Sequence, residues 1–562
     1  MSVPYREVEL KELVFKDEPL AFDIETIGLY GKIRLAQFYQ ADWPEVLLVN
    51  NPNPFELAAV IAKQHLIIQN ASYEISCIQA AINGFYEPDN YDDTFYLARL
   101  KYYTKPSFAL DDIMDYVLGY DPYVAEGIDK AVMQKSNWNI PVLTEQQKTY
   151  AALDVWKLLD VWEATKEHIE DTSYKLDMLA ISYAVKFQTV GMPVLGDVVQ
   201  DTYAKNLVTI AELAVPINVN SWKQVRPYIG HNESDALALA TLAIGGNERA
   251  DAVNKTRKLL KQNSFLAKFD VPEGRIYGKF LPSARSGRFT CKDQNLQQLP
   301  RLTKHCFGYD TDDGRVLVYA DYAQLEMRCI AAITGDQAME RLLRAQEDLH
   351  DYTAVSLFGK EFTKEQRDIA KTANFNLLYG GGANMLRGIL IQKAGIMLSE
   401  EECAAIKRKW RNLYVTVAKW QDRGIADQRR GLSWQTPFGR RYTAKLMTDQ
   451  LNIINQGFGS EVAKLAMHYM EPKIEGDVGM ANFVHDAFIY DCPNEPEIYE
   501  RVAETVADSM QKAWFETCRT GIDLKVRDLP MPVAVFVGYN WGRIEKDYLY
   551  KLTLEGMKHC EI

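Results

Sequence analysis

Paired cysteines are missing from this chain. Its eight cysteines (Cys77, Cys291, Cys306, Cys329, Cys403, Cys492, Cys518 and Cys560) are scattered, and none forms a Cys-x-x-Cys pair. That excludes a zinc site built on paired cysteines and a secreted disulfide framework, and leaves free thiols in a reducing cytosol. No apolar run approaches ~18 residues, the length a membrane span needs. The first residues, MSVPYREVELKEL, are too charged for a signal peptide. A soluble, cytoplasmic protein is therefore expected. There is no internal repeat and no low-complexity tract. An excess of positive charge is missing too, since the formal net charge is −12. This is a weak argument against nucleic-acid binding, because phosphate contacts need only a local basic face and metal-binding carboxylates lower the total.

The 562 residues are 47% hydrophobic and 25% charged, ordinary for globular chains and enough for about three or four domains. Residues 20–49 read as a short β-meander of LAFDIE, IRLAQFY and EVLLVN, with Gly or Pro breaks between. Residues 56–84 read as helix, strand, helix. Residues 144–169 read as one long amphipathic helix opened by the capping box Thr144-x-x-Gln147. From about 166 to 280 the pattern is helical and charged. Residues 315–334 return to strand then helix, 337–430 are mostly helical, 480–492 read as a tight hairpin, and MPVAVFVG reads as a last strand. The expected class is multidomain, α/β followed by α+β.

Two sets of carboxylates stand out. Asp23 and Glu25 are two apart on a strand, so both leave one face. Such close like charges repel unless a cation or a proton lies between them. Asp154 follows Tyr150 by four residues, which places a phenol and a carboxylate on one helix face. Between them in sequence come Glu74, in QNASYEIS, and Asp93, in YDDTF. Any one of these acids alone reads as a solvated surface group; the ordered set reads as an oxygen-rich site for Mg²⁺ or Mn²⁺. In the second set, Asp321 ends an apolar strand, Glu326 lies just inside the next helix, and Asp486 follows His485 at a hairpin tip. Between them Arg367, Lys371, Phe375 and Tyr379, spaced by four, form one slanted stripe on a helix. Two cations followed by two rings suit a nucleoside triphosphate, phosphates at one end and base and sugar at the other.

Asp23-Ile24-Glu25 and Tyr150-x-x-x-Asp154 resemble the first and third motifs of DEDD-type 3′–5′ exonucleases, and LDDIMDYVLGY and LTEQQKTYAALD agree around the third. The resemblance covers residues 20–160 and implies an RNase H-like fold. It makes Asp23, Glu25, Glu74 and Asp154 metal ligands and Tyr150 the orienter of the attacking water. The second motif departs: Asn70-Ala71-Ser72-Tyr73-Glu74 ends in Glu where the family has Asp. Mg²⁺ demands near-ideal octahedral geometry, so two outcomes stay open: slowed proofreading, or proofreading retained by backbone adjustment.

Asp321 in DYAQLEMR, the stripe in RDIAKTANFNLLYGG and His485-Asp486 occur in the order of motifs A, B and C of family A DNA polymerases, the bacterial DNA polymerase I type that many phages share. SGRFTCKDQNLQQLP, EDLHDYTA, TPFGRR, NQG at 455–457 and VGYNW also resemble family segments. The resemblance implies a right-hand polymerase of palm, fingers and thumb: exonuclease 1–165, thumb and connecting helices 166–280, palm 281–350, fingers 351–430, palm again 431–562. It makes Asp321 and Asp486 the ligands of two Mg²⁺ ions, replaceable by Mn²⁺. It makes Arg367, Lys371 and His350 phosphate contacts, with Lys371 protonating the pyrophosphate. Phe375 packs on the sugar, Tyr379 sits at the template base, Glu326 excludes a ribose 2′-hydroxyl, and Gln324 joins the nucleotide contacts. Arg288, Gln456, Asn452 and His485 are assigned to DNA. Partners implied are primer-template DNA, dNTPs and replication accessory proteins, with the chain a monomer and no membrane involved.

Two departures remain. Ala487 follows His485-Asp486 where the family commonly has Glu, and Thr448, four before Asn452, stands where the family often has Arg. They are the support for a competing reading, a 3′–5′ exonuclease whose polymerase half only binds DNA. The exonuclease motifs lie close to residue 1, leaving no room upstream for a 5′-nuclease domain, and 166–280 carries no long insertion to dock a processivity partner. A compact replicative polymerase of phage type, in the host cytoplasm, is the expectation.

Overall fold

The computed structural model describes residues 3–28, 30–269, 271, 274–441 and 443–555. Its contacts divide the chain into two units. The first is Met1–Thr189 with two later segments, Phe280–Ala284 and Phe438–Thr443; the second is Val190–Lys279, Arg285–Pro437 and Ala444–Ile562.

In the first unit the strands are β1 (Tyr5–Glu7), β2 (Leu20–Ile27), β3 (Lys32–Tyr39), β4 (Val46–Asn50), β5 (His65–Ile68) and β6 (Asn90–Asp93), in sheet order β1-β4-β3-β2-β5-β6. Strands β2, β3 and β4 pair antiparallel as the meander reading expects, while β5 runs parallel to β2 and β6 to β5. Helices α1 (Pro54–Ile61), α2 (Ser72–Ile82), α3 (Thr94–Lys101), α4 (Leu110–Leu118), α5 (Pro122–Ala125), α6 (Lys130–Met133), α7 (Glu145–Trp156), α8 (Leu158–Thr165) and α9 (Thr172–Val190) complete it. On β2 the apolar Phe22 and Ile24 are buried while Asp23 and Glu25 alternate onto the other face. Phe22, Phe38, Tyr96 and Tyr123 are among its fully buried side chains, each contributing about 1.5–3 kcal/mol of burial.

The expected long helix over 144–169 is two helices. Its capping box forms, with the Gln147 amide donating to Thr144 Oγ1 at 3.2 Å and Gln147 Oε1 accepting from the Thr144 amide at 3.0 Å. Lys157 then leaves helical geometry, at φ −113 and ψ 8. No Gly or Pro marks the break. Polar anchors on each side explain it: α7 turns Asp154 inward, whereas α8 points the Trp162 indole N–H at Asp92, 2.9 Å away.

The second unit holds α10 (Gly196–Leu213), α11 (Trp222–Ile229), α12 (Ala236–Ile244) and α13 (Glu248–Leu266); Val219, Val225, Ile229, Leu239, Ala250 and Val253 form a small core of their own there. Short strands β7 (Met192–Pro193), β8 (Arg275–Ile276), β9 (Lys279–Leu281) and β10 (Thr290–Lys292) punctuate the chain here, β9 falling mostly in the Phe280–Ala284 segment of the first unit. The main sheet is β11 (Arg315–Tyr322), β12 (Gly479–Val484), β13 (Ala487–Pro493), β14 (Val533–Gly538) and β15 (Tyr550–Leu554), antiparallel throughout, in order β12-β13-β11-β14-β15. The edge strand β15 carries no signal beyond a brief alternation and was not expected. Helices α14 (Leu325–Thr334), α15 (Gln337–Arg344), α16 (Leu349–Phe358), α17 (Lys364–Leu378), α18 (Ala383–Ile389), α19 (Glu400–Leu413) and α20 (Val415–Arg429) follow β11. Helices α21 (Met447–Met470) and α22 (Pro496–Thr520) lie against each other, with Phe458 and Trp514 stacked at 5.4 Å. The seven cysteines within the described residues are buried and form no disulfide; Cys560 lies outside them. No helix among the described residues is long and apolar enough to cross a membrane.

Two candidate active sites

In the first unit Asp23, Glu25 and Asp154 bring carboxylate oxygens within 4.8 Å of one another. Burial forces them toward the protonated form: Asp23 is pushed up to about 6, Asp154 to about 8, and Glu25 well above the usual range, with mutual repulsion adding to burial for Glu25 and Asp154. Glu74, 3% exposed at the start of α2, hydrogen-bonds Asp23, and its own carboxyl is also pushed well up by burial. Its other oxygen, Oε2, is buried without a partner. Glu74 thus faces Asp23 but is not one of the three carboxylates that lie within 4.8 Å of one another. An orphaned oxygen beside three converging carboxylates is a donor set that fits a hard divalent cation.

Tyr150 hydrogen-bonds Asp154, one turn on, as the spacing predicts. Two further groups escaped the sequence reading. The Tyr123 hydroxyl, on α5, donates to Asp154 Oδ1, and Lys130, at the start of α6, adds a positive charge that favours ionised Asp23 and Asp154. Both come from short helices with no periodic pattern. Asp93 has a structural role: it accepts from the backbone amides of Asn70 (3.0 Å), Ala71 (2.8 Å) and Phe95 (2.9 Å). It thus caps α3 and clamps the turn that delivers Glu74.

In the second unit β11 and β13 pair with Ala320 opposite Phe488. This brings Asp321, at the end of β11, and Asp486, in the two-residue turn before β13, to the same end of neighbouring strands. Asp321 is pushed up to about 6 by burial and by the charge of Glu545; Asp486 is pushed up to about 7 by burial and by Asp321. Two such buried carboxylates, hard oxygen donors at one end of the sheet, are the donor type that a divalent cation takes. Glu545 was not foreseen. It belongs to the turn after β14 and supplies negative charge at a site whose hairpin carries Ala487. His485 holds a left-handed conformation, φ 62, at the hairpin tip.

Of the stripe, Arg367, Lys371 and Phe375 lie on α17 and Tyr379 is its C-cap. Lys371, Phe375 and Tyr379 line a cavity of about 760 Å³ together with Asn452, Thr448, Arg301 and Asn376. Arg367 lies outside that lining, paired with Asp348 at 2.6 Å and with Asp351. His350 is 7% exposed, its pKa lowered by burial, with Nδ1 3.0 Å from Asn374 Nδ2 and its ring 5.5 Å from Phe375. Arg288 pairs with Glu326 at 2.7 Å; Tyr379 also hydrogen-bonds Glu326 and accepts from Asn455 Nδ2 at 3.1 Å. Gln324, left-handed at φ 56, starts α14, and Gln456 is half-buried on α21.

Residues 205–543 match the family model described as DNA polymerase family A, and residues 5–170 match that described as 3′-5′ exonuclease. The chain belongs to DNA polymerase family A. It is a DNA-directed DNA polymerase whose 3′–5′ exonuclease domain precedes the polymerase domain. DNA polymerase I of Aquifex aeolicus (strain VF5) is 25% identical over 577 residues, covering 93% of this chain and 96% of that one. The thermostable DNA polymerase I of Thermus thermophilus is 27% identical over 367 residues, covering 58% of this chain but 42% of the relative. Among solved structures, the POL domain of Pol1 from M. smegmatis, in complex with DNA primer-template and dNTP, superposes with a TM-score of 0.75 at 19% identity, covering 94% of this chain and 96% of that one.

Proposed function

We propose that the chain extends DNA primers by phosphoryl transfer at one two-metal site and proofreads them by hydrolysis of the 3′-terminal phosphodiester at another. The observation that carries this is the β11–β13 register, which sets Asp321 and Asp486 at the same end of neighbouring strands in one unit, and the convergence of Asp23, Glu25 and Asp154 in the other. Two Mg²⁺ ions per site, replaceable by Mn²⁺, would acidify the attacking 3′-hydroxyl or water and neutralise charge on the transferred phosphate.

The protein's own residues do the rest. In the polymerase, Asp321 and Asp486 hold the ions. Lys371 binds the triphosphate and donates a proton to the leaving pyrophosphate. Phe375 stacks on the sugar, Tyr379 tests the pair, and Glu326 with Gln324 closes the space beside C2′. Arg367 and His350 complete the phosphate contacts once the nucleotide competes with Asp348 and Asp351. Arg288, Asn452, Gln456 and His485 contact primer-template DNA; minor-groove acceptors are similarly placed in every correct pair, so such contacts test shape without reading sequence. In the exonuclease, Asp23, Glu25, Glu74 and Asp154 hold the ions and Tyr150 orients water.

Residues 281–350 and 431–562 act as palm, 351–430 as fingers and 166–280 as thumb and connecting helices, after an exonuclease domain over 1–165. The helical stretch α10–α13 carries no long insertion, which supports a monomer working without a thumb-docked partner, in genome replication of phage type within the host cytoplasm. The test is a 5′-labelled primer on a longer template with Mg²⁺. Extension with dNTPs and shortening without them is expected; shortening with no extension would overturn the polymerase reading.

A further inference from the structure

The second unit contains a helix that is apolar on two opposite sides. From Ala236 to Asn247 the chain carries no charge, and α12 reads ALALATLAI. Leu239 and Leu242 turn one side onto the small core described above. At about 100° per residue, Leu237, Ala240 and Ile244 fall on the other side. A helix apolar all round needs a second cover. That cover is the stretch around α18. Helix α12 lies against the π-helical turn Leu390–Ala394, into which α18 continues. A Cβ built at Gly388 would stand 3.7 and 3.9 Å from the two Leu237 methyl carbons, so the glycine leaves a bare patch that Leu237 faces. Leu237 and Ile244 keep 36% and 40% exposure. Among the described residues no hydrogen bond or ion pair joins α12 to α18 or to the turn. The contact is small, apolar and without polar anchors, a kind that two surfaces can make and part.

Its place in the fold gives the contact a role. Helix α12 belongs to the stretch read above as thumb, and α18 with its turn to the stretch read as fingers. Met385, Ile389, Lys393 and Ala394 line the same cavity as Lys371, Phe375 and Tyr379. Primer-template DNA has to enter between thumb and fingers to reach that cavity, and no strand passes where two helices touch. We propose that α12 is a gate: in the free protein its Leu237 side closes on residues 388–394 and bars the DNA cleft, and primer-template binds only after the two have parted. Affinity for DNA is then reduced in proportion to the fraction of molecules whose gate is open. The inference rests on the thumb-and-fingers reading proposed above.

The test introduces Leu237→Cys and Gly388→Cys into the full chain together with Cys560→Ser, the seven other native cysteines being buried. A short, cleavable bis-maleimide then joins the pair. Linkage is expected in the free protein and should fall by at least about tenfold when a saturating primer-template hairpin is added first. The linked protein should bind no hairpin until the linker is cut. Separately, Leu237→Ser should tighten hairpin binding by up to about tenfold, through faster association with dissociation unchanged. Its incorporation rate at saturating hairpin should match the unaltered protein, which establishes that the variant folds. Three results would overturn the proposal: no linkage in the free protein, linkage as efficient with the hairpin bound, or unchanged or weaker binding by Leu237→Ser. The second would mean that the contact closes around DNA instead of against it. An unaltered protein that extends no primer would overturn the polymerase reading itself, and the linkage in the free protein is read without that activity.

Discussion

The two sites solve one electrostatic problem in different ways. In the exonuclease unit, three carboxylates converge within 4.8 Å, Glu74 hydrogen-bonds one of them, and the cations nearby are few. Its acids answer to metal and protons. In the polymerase unit two carboxylates share the end of a sheet, and several cations assigned to substrate are parked on acids: Arg288 on Glu326, Arg367 on Asp348 and Asp351. Its acids and bases hold one another until DNA and nucleotide compete for them. One site is built around charge of one sign; the other is a set of temporary ion pairs, each worth about 0–1 kcal/mol where exposed.

The largest effect should come from removing either carboxylate of the polymerase pair. Asp321→Ala or Asp486→Ala is expected to cut dNTP incorporation by more than about 10³-fold, with primer shortening unchanged in the same assay. Loss of shortening as well would break the separation of the two sites.

Metal and pH come next. Buried Asp23 and Asp154 have folded-state pKa values of about 6 and about 8, above their usual value near 3.8. Between those values the native state binds more protons than the unfolded chain. Stability in EDTA should therefore fall as pH rises from about 4 to 8. Mg²⁺ takes the place of those protons. At a hundredfold excess over its Kd it contributes about 2.7 kcal/mol, on the order of 5 °C in melting temperature for a unit this size. Scanning calorimetry should show the larger Mg²⁺ shift at pH 8 than at pH 5; equal shifts would contradict the buried-cluster picture.

A sharper probe is the length of one side chain. Because Glu74 reaches Asp23, Glu74→Asp should slow shortening by about 10-fold rather than accelerate it, reflecting the strict geometry of Mg²⁺ sites. A faster variant would mean the extra methylene is a handicap. The smallest effect tests the parked cations. Asp351→Asn, which frees one side of Arg367, should lower KM for dNTP by about threefold, the scale of one exposed ion pair, with kcat unchanged in steady-state extension. A raised KM would assign Asp351 a supporting role.

Strong local patterns carried much of this organisation. Asp23 and Glu25 alternate on a strand, Tyr150 and Asp154 stand one turn apart, and Lys371, Phe375 and Tyr379 follow one another along α17 and onto its C-cap, so period alone places them. The 144–169 helix misled because its break at Lys157 is set by two buried anchors, Asp154 and Trp162, with no Gly or Pro to announce it. Tyr123 and Lys130 sit in one-turn helices too short for any periodicity. The charge of Glu545 is felt by Asp321 only because of the turn after β14, an interaction between residues 224 apart that no local rule reveals. The ion pairs of Arg288 and Arg367 were equally invisible, since both partners read as substrate ligands or solvated acids.

The central claim is that one chain carries two independent catalytic carboxylate sets. A crossed comparison of Asp321→Ala and Asp154→Ala on one 5′-labelled primer-template, with and without dNTPs, tests it most directly. The account predicts that Asp321→Ala shortens the primer and never extends it, while Asp154→Ala extends and never shortens. Either variant losing both activities, or either keeping the activity assigned to its missing carboxylate, would contradict it.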